Sequence, residues 1–207
     1  MPKYEDLTVT KLTARRIVGI DQFRLRNTSW DDLTFPVSAD NIDSASTRYS
    51  FDYDELAIQF DANARQANEI IGFIVQLKHR WKESSTVGPH LHWYQDQAAV
   101  PQFLLRYRKY NNGDAVPAGF TEVAALDPVF TYPGSGRILQ ISPFPDIDMT
   151  GLTISSFVDC KVARDTDGSS TVFSGADPVA APVLVKEFDI HYEIDSFGSN
   201  EEFIKGN

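Results

Sequence analysis

The most specific pattern in the sequence is a pair of histidines, His90 and His92, within the run GPHLHWY over residues 88–94. Residues two apart on a β-strand project from the same face, so the two imidazoles would lie side by side, a few ångströms apart. Imidazoles placed in this way can share a transition-metal ion. The pair is an incomplete metal site, and the sequence alone assigns no catalytic residue, no cofactor and no full set of metal ligands.

Three interpretations of this pair remain open. Cupin-type enzymes begin their metal site with such a pair, then add a glutamate a few residues later and a third histidine further on. Here the next acidic residue is Asp96 and the next glutamate is Glu122, while His191 is available as a third ligand on a strand face that is predicted to be solvent-exposed. Alternatively, the pair could lie on the threefold axis of a trimer, where six imidazoles surround one ion. The third interpretation is two polar strand residues with local hydrogen bonds.

Other catalytic patterns are missing from the sequence. It has no G-x-S-x-G motif, because the run PGSGR over residues 133–137 has a different frame, and it has no phosphate-binding loop or dinucleotide fingerprint. The single cysteine, Cys160, lies on the apolar side of its predicted strand, which is typical of a small core residue and not of a nucleophile. Three tryptophans, Trp30, Trp81 and Trp93, could stack on sugars or pack in the core. We therefore predict that the chain is not an enzyme.

The segments that must position these residues show apolar and polar residues in alternation, the pattern of a β-strand with one buried face. Over residues 184–195 one face holds Leu184, Phe188, Ile190, Tyr192 and Ile194, with Lys186 as its only polar member, and the other holds Glu187, Asp189, His191, Glu193 and Asp195. Similar patterns over residues 103–110, 152–162 and 137–141 predict further strands. A change of phase between Phe51 and Leu56 predicts a bulge or turn near residues 54–55.

The residues from 70 to 81 fit both a strand and a helical stripe, and Gly72 together with the β-branched residues favours the strand. Turn sequences separate these segments, for example NNGD at 111–114 and DTDG at 165–168. Many short strands with such punctuation predict an all-β fold, an antiparallel β-sandwich of jelly-roll-like type.

Composition and charge are those of a globular protein with an uneven charge distribution. The chain has 207 residues, 42% of them hydrophobic, and a net charge of −10. This charge argues against nucleic acid or an anionic membrane as a partner. Residues 1–30 nevertheless hold six basic and three acidic side chains. We therefore predict an extended N-terminal arm over residues 1–30, able to dock on a neighbour, followed by a β-sandwich domain over residues 31–207. The start of the chain has no apolar segment typical of a signal peptide.

Three stretches of the sequence resemble a family of uncharacterised structural proteins encoded by tailed bacteriophages. They are VQLKHRWKE at residues 75–83, GPHLHW at 88–93 and FDIHYE at 188–193, the last running on through Gly198 to the EEFIK of residues 201–205. The family has a similar Pro-His-x-His-Trp motif and a similar ending, although it shows proline where Lys78 stands here. The resemblance spans about residues 69–205 and implies a virion component with a jelly-roll-like sandwich, assembled as a homotrimer.

The function expected from the sequence is therefore structural. We expect a component of a tailed phage particle, such as a head decoration, fibre, neck or tail protein, made in the host cytoplasm and located in the virion. It would act by self-association and by docking on neighbouring capsid, neck or tail proteins, without nucleic acid or membrane as partner. Two alternatives stay open: a carbohydrate- or receptor-binding module of a phage fibre, and a cupin-like metalloenzyme with His90, His92 and His191 as ligands.

Overall fold

The computed structural model describes residues 24–38, 49–62, 70–129 and 137–196, and these ranges fold entirely into strands, turns and loops. The strands are β1 (Arg24–Pro36), β2 (Tyr49–Asp52), β3 (Ala57–Phe60), β4 (Ile70–Gln76), β5 (Val87–Tyr94), β6 (Phe103–Tyr110), β7 (Thr121–Ala124), β8 (Gln140–Pro143), β9 (Phe157–Arg164) and β10 (Val183–Ser196). Over these ranges no helix is long and apolar enough to cross a membrane.

Two antiparallel sheets pack face to face. Sheet A has six strands in the order β2-β3-β10-β5-β8, with β1 also paired to β10, and sheet B has four in the order β4-β9-β6-β7. From β4 onward the chain alternates between the two sheets except at the β6–β7 hairpin, which lies within sheet B, and such crossing between sheets is typical of jelly rolls. The predicted all-β antiparallel sandwich is confirmed.

The longest strand, β10, organises sheet A. Along one side it pairs with β5, from Leu184 opposite Tyr94 to Tyr192 opposite Val87. Along its other side it pairs first with β3 and then, beyond Lys186, with β1. Because β5 and β1 flank it, β10 fixes the outward-facing side chains of three strands relative to one another.

The inward faces of both sheets form one hydrophobic core. Trp81, Trp93, Phe60 and Phe188 are fully buried in it, and Phe188 stacks on Phe73 of the opposite sheet with ring centroids 4.8 Å apart. Each large side chain that is fully buried contributes on the order of 2–3 kcal/mol relative to exposure. Burial of Trp81 and Trp93 assigns these two rings to core packing and removes them as sugar-stacking platforms.

A β-bulge in β10 changes which face its residues occupy. The register with β5 shifts between Val185 and Glu187, so Lys186 is an extra residue on β10. The alternating pattern predicted that Leu184 would share a face with Phe188. This was wrong, because the bulge turns Leu184 outward, where it packs with Tyr94 and Ala57.

Four other sequence expectations correspond to elements of the structure, and the predicted strands among them have different boundaries. The phase change near residues 54–55 is the turn of the β2–β3 hairpin, and the ambiguous segment is strand β4. The strand predicted over 152–162 begins only at Phe157, because residues 152–156 form a turn in which Ser155 has a φ of 62°. The short strand expected at 137–141 is β8, which begins at Gln140.

The predicted arm falls mostly outside the described residues. Its last part, from Arg24 onward, belongs to strand β1 and pairs with β10, so these residues are part of the sandwich. Any experiment that removes the arm without cutting into sheet A must therefore end at Phe23.

A buried arginine joins the end of strand β9 to the loop that precedes β10. The side chains of Arg164 and Asp177 are both fully inaccessible, and Nε of Arg164 lies 2.8 Å from the Asp177 carboxylate. The remaining guanidinium nitrogens donate to four backbone carbonyls, those of Phe60, Asp61, Val179 and Ala181. Each of the three guanidinium nitrogens therefore has at least one acceptor, as a buried charge requires.

Candidate metal centre

The two predicted histidines meet a carboxylate on the outward face of sheet A. His90 and His92 project from this face of β5, as the alternation predicted, and β10 places Asp189 directly opposite His90 and Glu187 opposite His92. The ligand atoms of His90, His92 and Asp189 all lie within 4.8 Å of one another. The pairing of β5 with β10 thus assembles two imidazoles and a carboxylate from segments about one hundred residues apart.

Distances at this cluster match a metal site better than a hydrogen-bonded pair. Nε2 of His90 lies 3.2 Å, and Nε2 of His92 lies 3.3 Å, from the same oxygen, Oδ2 of Asp189. Charge-assisted N–H···O hydrogen bonds are shorter, about 2.7–2.9 Å. Zinc–nitrogen and zinc–oxygen bonds of about 2.0–2.2 Å in a tetrahedron place neighbouring ligand atoms about 3.3–3.5 Å apart. The two nitrogen–oxygen separations are therefore close to the edges of a tetrahedral coordination shell, and the two imidazole nitrogens lie within 4.8 Å of each other.

The three side chains are removed from water. Exposed fractions are 7% for the His90 side chain, 17% for His92 and 9% for Asp189. The second oxygen of Asp189, Oδ1, and Nε2 of His92 are buried without a directed hydrogen bond. A buried polar atom left without a partner costs about 1–3 kcal/mol. Such a cost is offset when a bound cation takes the place of the hydrogen-bond partner.

The charges in the cluster support one another. Burial acts to raise the pKa of Asp189, but contacts from His90 and His92 outweigh it and hold that pKa well below its ordinary value. The carboxylate of Asp189 in turn raises the pKa of His92. Burial, and then the negative charge of Asp189, raises the pKa of Glu187. The site therefore favours a buried carboxylate beside positive charge, which a proton on His92 or a metal ion can supply.

These shifts predict a pH dependence for the metal-free protein. A lowered pKa of Asp189 stabilises the fold above its unfolded value near 3.8, and this stabilisation is lost as pH falls. A raised pKa of His92 stabilises the fold below its unfolded value near 6.5, and this is lost as pH rises through the folded value. The two contributions overlap between pH 4 and 6.5. Urea unfolding of chelator-treated protein should show that His92→Gln destabilises more at pH 5 than at pH 8.5; equal effects at both values would contradict this assignment.

The predicted third histidine occupies a different place. His191 is half-exposed, and its Nε2 lies 2.9 Å from Oδ1 of Asp32 on β1, while its ring centroid is 4.4 Å from that of His90. The expectation that its strand face is solvent-exposed fits this position. The carboxylate that completes the cluster is Asp189, two residues earlier on the same face. Sequence alternation placed Asp189 on that face, but only the strand pairing shows which residue of β10 faces His90.

A cleft of about 460 Å³ opens over the cluster. On one side it is bordered by His191 and Asp32, and on the other by Ile141 and Pro143 of β8, which pair with His92 and His90. Gly88 continues the outward row of β5 beyond His90 without a side chain. A Cβ built there would lie 3.3 Å from Oδ1 of Asp146.

The remaining sequence candidates do not join this site. Cys160 is buried in the core between the sheets, where burial raises the pKa of its thiol and keeps it protonated. Trp30 is 59% exposed on β1. On β6, the basic residues Arg106 and Arg108 form ion pairs with Glu122 and Asp159 across sheet B, away from this cluster.

Comparisons with known proteins do not assign a role to this site, so its interpretation rests on the geometry described above. A scan against protein-family models finds no match to the sequence, and a search of the curated proteins finds no significant match either.

Proposed function

We propose that the protein binds a divalent transition-metal ion through Nε2 of His90, Nε2 of His92 and Oδ2 of Asp189. The observation that carries this proposal is the convergence of both imidazole nitrogens on one buried carboxylate oxygen, at 3.2 and 3.3 Å. Nitrogen ligands with one carboxylate suit Zn²⁺, and two histidines with one carboxylate also form the facial triad that binds Fe²⁺. The harder ions Mg²⁺ and Ca²⁺ prefer oxygen ligands and fit this set less well.

Three protein ligands leave the coordination shell open. Structural zinc sites have four protein ligands, whereas sites that bind a further molecule keep one position free. The carboxylate of Glu187 is close to Asp189 but is not among the converging ligand atoms. The free position therefore faces the cleft.

Zinc titration of the chelator-treated full chain at pH 7.5 tests the proposal directly. Isothermal titration calorimetry should detect one Zn²⁺ per chain, and His92→Gln should weaken binding by about 100-fold, since each ligand of a zinc site contributes on the order of 3 kcal/mol. His191→Gln is the matched control, because it removes a histidine beside the site that is not a ligand. We expect it, and Glu187→Gln, to change the affinity less than 10-fold.

Each other outcome has a definite meaning. Failure of the wild-type chain to bind Zn²⁺, Fe²⁺, Mn²⁺ or Co²⁺ would overturn the proposal. Equal losses in His92→Gln and His191→Gln would replace the proposed ligand set by the three-histidine set of cupins. A 100-fold loss in Glu187→Gln would make the site a closed, four-ligand one.

We further propose that this metal-binding sandwich is a structural component of a tailed phage particle. The third resembling stretch lies nearly one hundred residues after the first two, yet all three come together in one unit of the fold. Strands β5 and β10 pair along their length, Trp81 bridges to Ile194, and Lys82 lies 2.7 Å from Glu193. This contiguity supports a shared fold core with that family, and through it the virion role.

Exposed apolar side chains support self-association. Strand β8 lies at the edge of sheet A, and three large apolar side chains near it, outside the cleft, are about half exposed: Leu126, Ile138 and Leu139. Apolar side chains exposed together on one edge are typical of protein contacts. The partner we propose for them is a second copy of the chain, in a homotrimer.

Two measurements test the structural role. Light scattering of the purified chain should give a mass near three times 23.2 kDa, and a monomer would contradict the trimer. Deletion of residues 1–23, which leaves β1 intact, should give a folded sandwich that no longer incorporates into phage particles. Replacement of Lys3, Lys11, Arg15 and Arg16 by glutamine provides the matched control for charge alone. Normal incorporation of the deleted chain would contradict docking through the arm.

A further inference from the structure

The side chains that line the cleft above the metal centre indicate which class of molecule can bind in the cleft. We propose that a neutral saccharide binds there, with one hydroxyl oxygen on the metal ion and other hydroxyl groups donating to Asp32 and Asp146. This inference rests on the proposed metal site, since the ion supplies one of the contacts. The cleft volume of about 460 Å³ lies in the range of small-molecule sites.

Space for the ligand comes from Gly88. Outward side chains on β5 follow the order Gly88, His90, His92, so the row of side chains ends in a gap next to His90. Asp146 and His191 border this gap, 3.3 and 3.9 Å from the position of a Cβ on Gly88. A ligand oxygen seated in the gap therefore lies beside a metal-coordinating imidazole and within reach of a carboxylate.

Charge selects against anions. Asp32 and Asp146 line the cleft with Asp189 at its floor, and no lysine or arginine of the described ranges lines it. Unprotonated carboxylates only accept hydrogen bonds, so the ligand must bring donors. Asp189 offsets part of the charge of the ion, so an anionic group seated away from the ion would meet the carboxylates of Asp32 and Asp146, which is unfavourable in a partly desolvated site. Hydroxyl groups satisfy the carboxylates without this repulsion.

The opposite wall is apolar. Ile141, Pro143 and Val129 border the cleft on the β8 side. Here a ligand must present C–H groups, because polar groups would lose hydrogen bonds to water without replacement. Sugars have both properties, with C–H groups on a ring face and hydroxyl groups at its edge. Combined with a metal-binding hydroxyl, these walls favour a saccharide over a charged metabolite.

Direct binding measurements with the zinc-loaded full chain test this proposal. Saturation-transfer NMR and calorimetry with methyl mannoside, methyl galactoside, methyl glucoside and N-acetylglucosamine should detect binding of at least one sugar, and chelation of the metal should abolish it. Methyl glucuronide, which has a carboxylate in place of the C6 hydroxymethyl group of methyl glucoside, should bind at least 10-fold more weakly, because with a ring hydroxyl on the metal ion its carboxylate would face Asp32 and Asp146.

Two variants separate the ligand site from the metal site. Gly88→Val fills the gap without removing a metal ligand, so it should retain zinc affinity and lose at least 10-fold in sugar affinity. Asp146→Asn, an exposed change that leaves the fold intact, should weaken sugar binding while zinc affinity stays the same. If zinc binds and none of the four sugars does, or if the sugar binds equally well after chelation, the saccharide proposal is wrong and the metal site stands. If zinc itself does not bind, the metal proposal fails.

Discussion

Replacement of Arg164 by methionine is expected to lower the free energy of unfolding by about 3–5 kcal/mol. The change removes the only charged partner of Asp177 that the described residues supply at this fully buried position. It also removes one hydrogen-bond donor from each of four backbone carbonyls in buried or partly buried positions. Because domains are stable by about 5–15 kcal/mol, the variant should be close to unfolding at room temperature. Urea unfolding followed by the fluorescence of the buried tryptophans measures the loss.

The matched control is Arg137, an exposed arginine that has two carboxylate partners where Arg164 has one. Arg137 contacts Glu55 and Asp96, and its side chain is 48% exposed. Arg137→Met should change stability by less than about 1 kcal/mol, as is typical of surface ion pairs. Adding Asp177→Asn to Arg164→Met should restore part of the loss, because the unpaired buried charge disappears. A loss below 1 kcal/mol in Arg164→Met would contradict the assigned role.

The second large effect is expected at Asp189, the residue that both histidines face. Asp189→Asn keeps the size of the side chain but removes the negative charge that neutralises the ion. Zinc affinity should fall by about 100-fold or more, in line with roughly 3 kcal/mol per ligand. Calorimetry at pH 7.5 on the full chain gives the two affinities.

Asp32→Asn is the comparison for this change. Asp32 is an exposed carboxylate on the same face, bonded to His191 and outside the ligand set. We expect its loss to reduce zinc affinity less than 10-fold, through long-range charge alone. Equal losses in the two variants would mean that the cluster attracts zinc by its overall negative charge and not by coordination.

Much of the fold follows from local pattern. Alternation predicted β10 and β6, and strand geometry predicted the shared face of His90 and His92, because residues two apart on a strand project from the same face. The alternation rule failed where apolar residues are buried although they do not lie on a strand. Leu152 and Ile154 alternate with polar residues, yet they are buried from a turn that precedes β9. The bulge at Lys186 was also invisible, since an extra residue in one strand is defined only against its partner.

Only part of the metal site could be predicted from the sequence, because local spacing relates residues on one strand but not residues on different strands. Two of its ligands are neighbours on one strand, and their spacing alone predicts that they meet. The third, Asp189, belongs to a strand about one hundred residues away, and five polar residues alternate along its face. Pairing partners depend on packing across the whole sheet, which a single sequence does not encode locally. The bulge at Lys186 does not alter this face, because uninterrupted alternation already places Asp189 outward; the residue whose face it changes is Leu184.

The central place of β10 has a consequence for biosynthesis. Asp31 and Tyr192 bond across the β1–β10 pair although they are 161 positions apart in the chain. Until residues 183–196 leave the ribosome, β1, β3 and β5 lack the strand that joins them. Their backbone groups and apolar faces stay open during synthesis, and contacts so distant in sequence form slowly. The nascent chain therefore spends translation as an incomplete sheet with free edges, the state in which β-proteins are most prone to aggregate and to need chaperones.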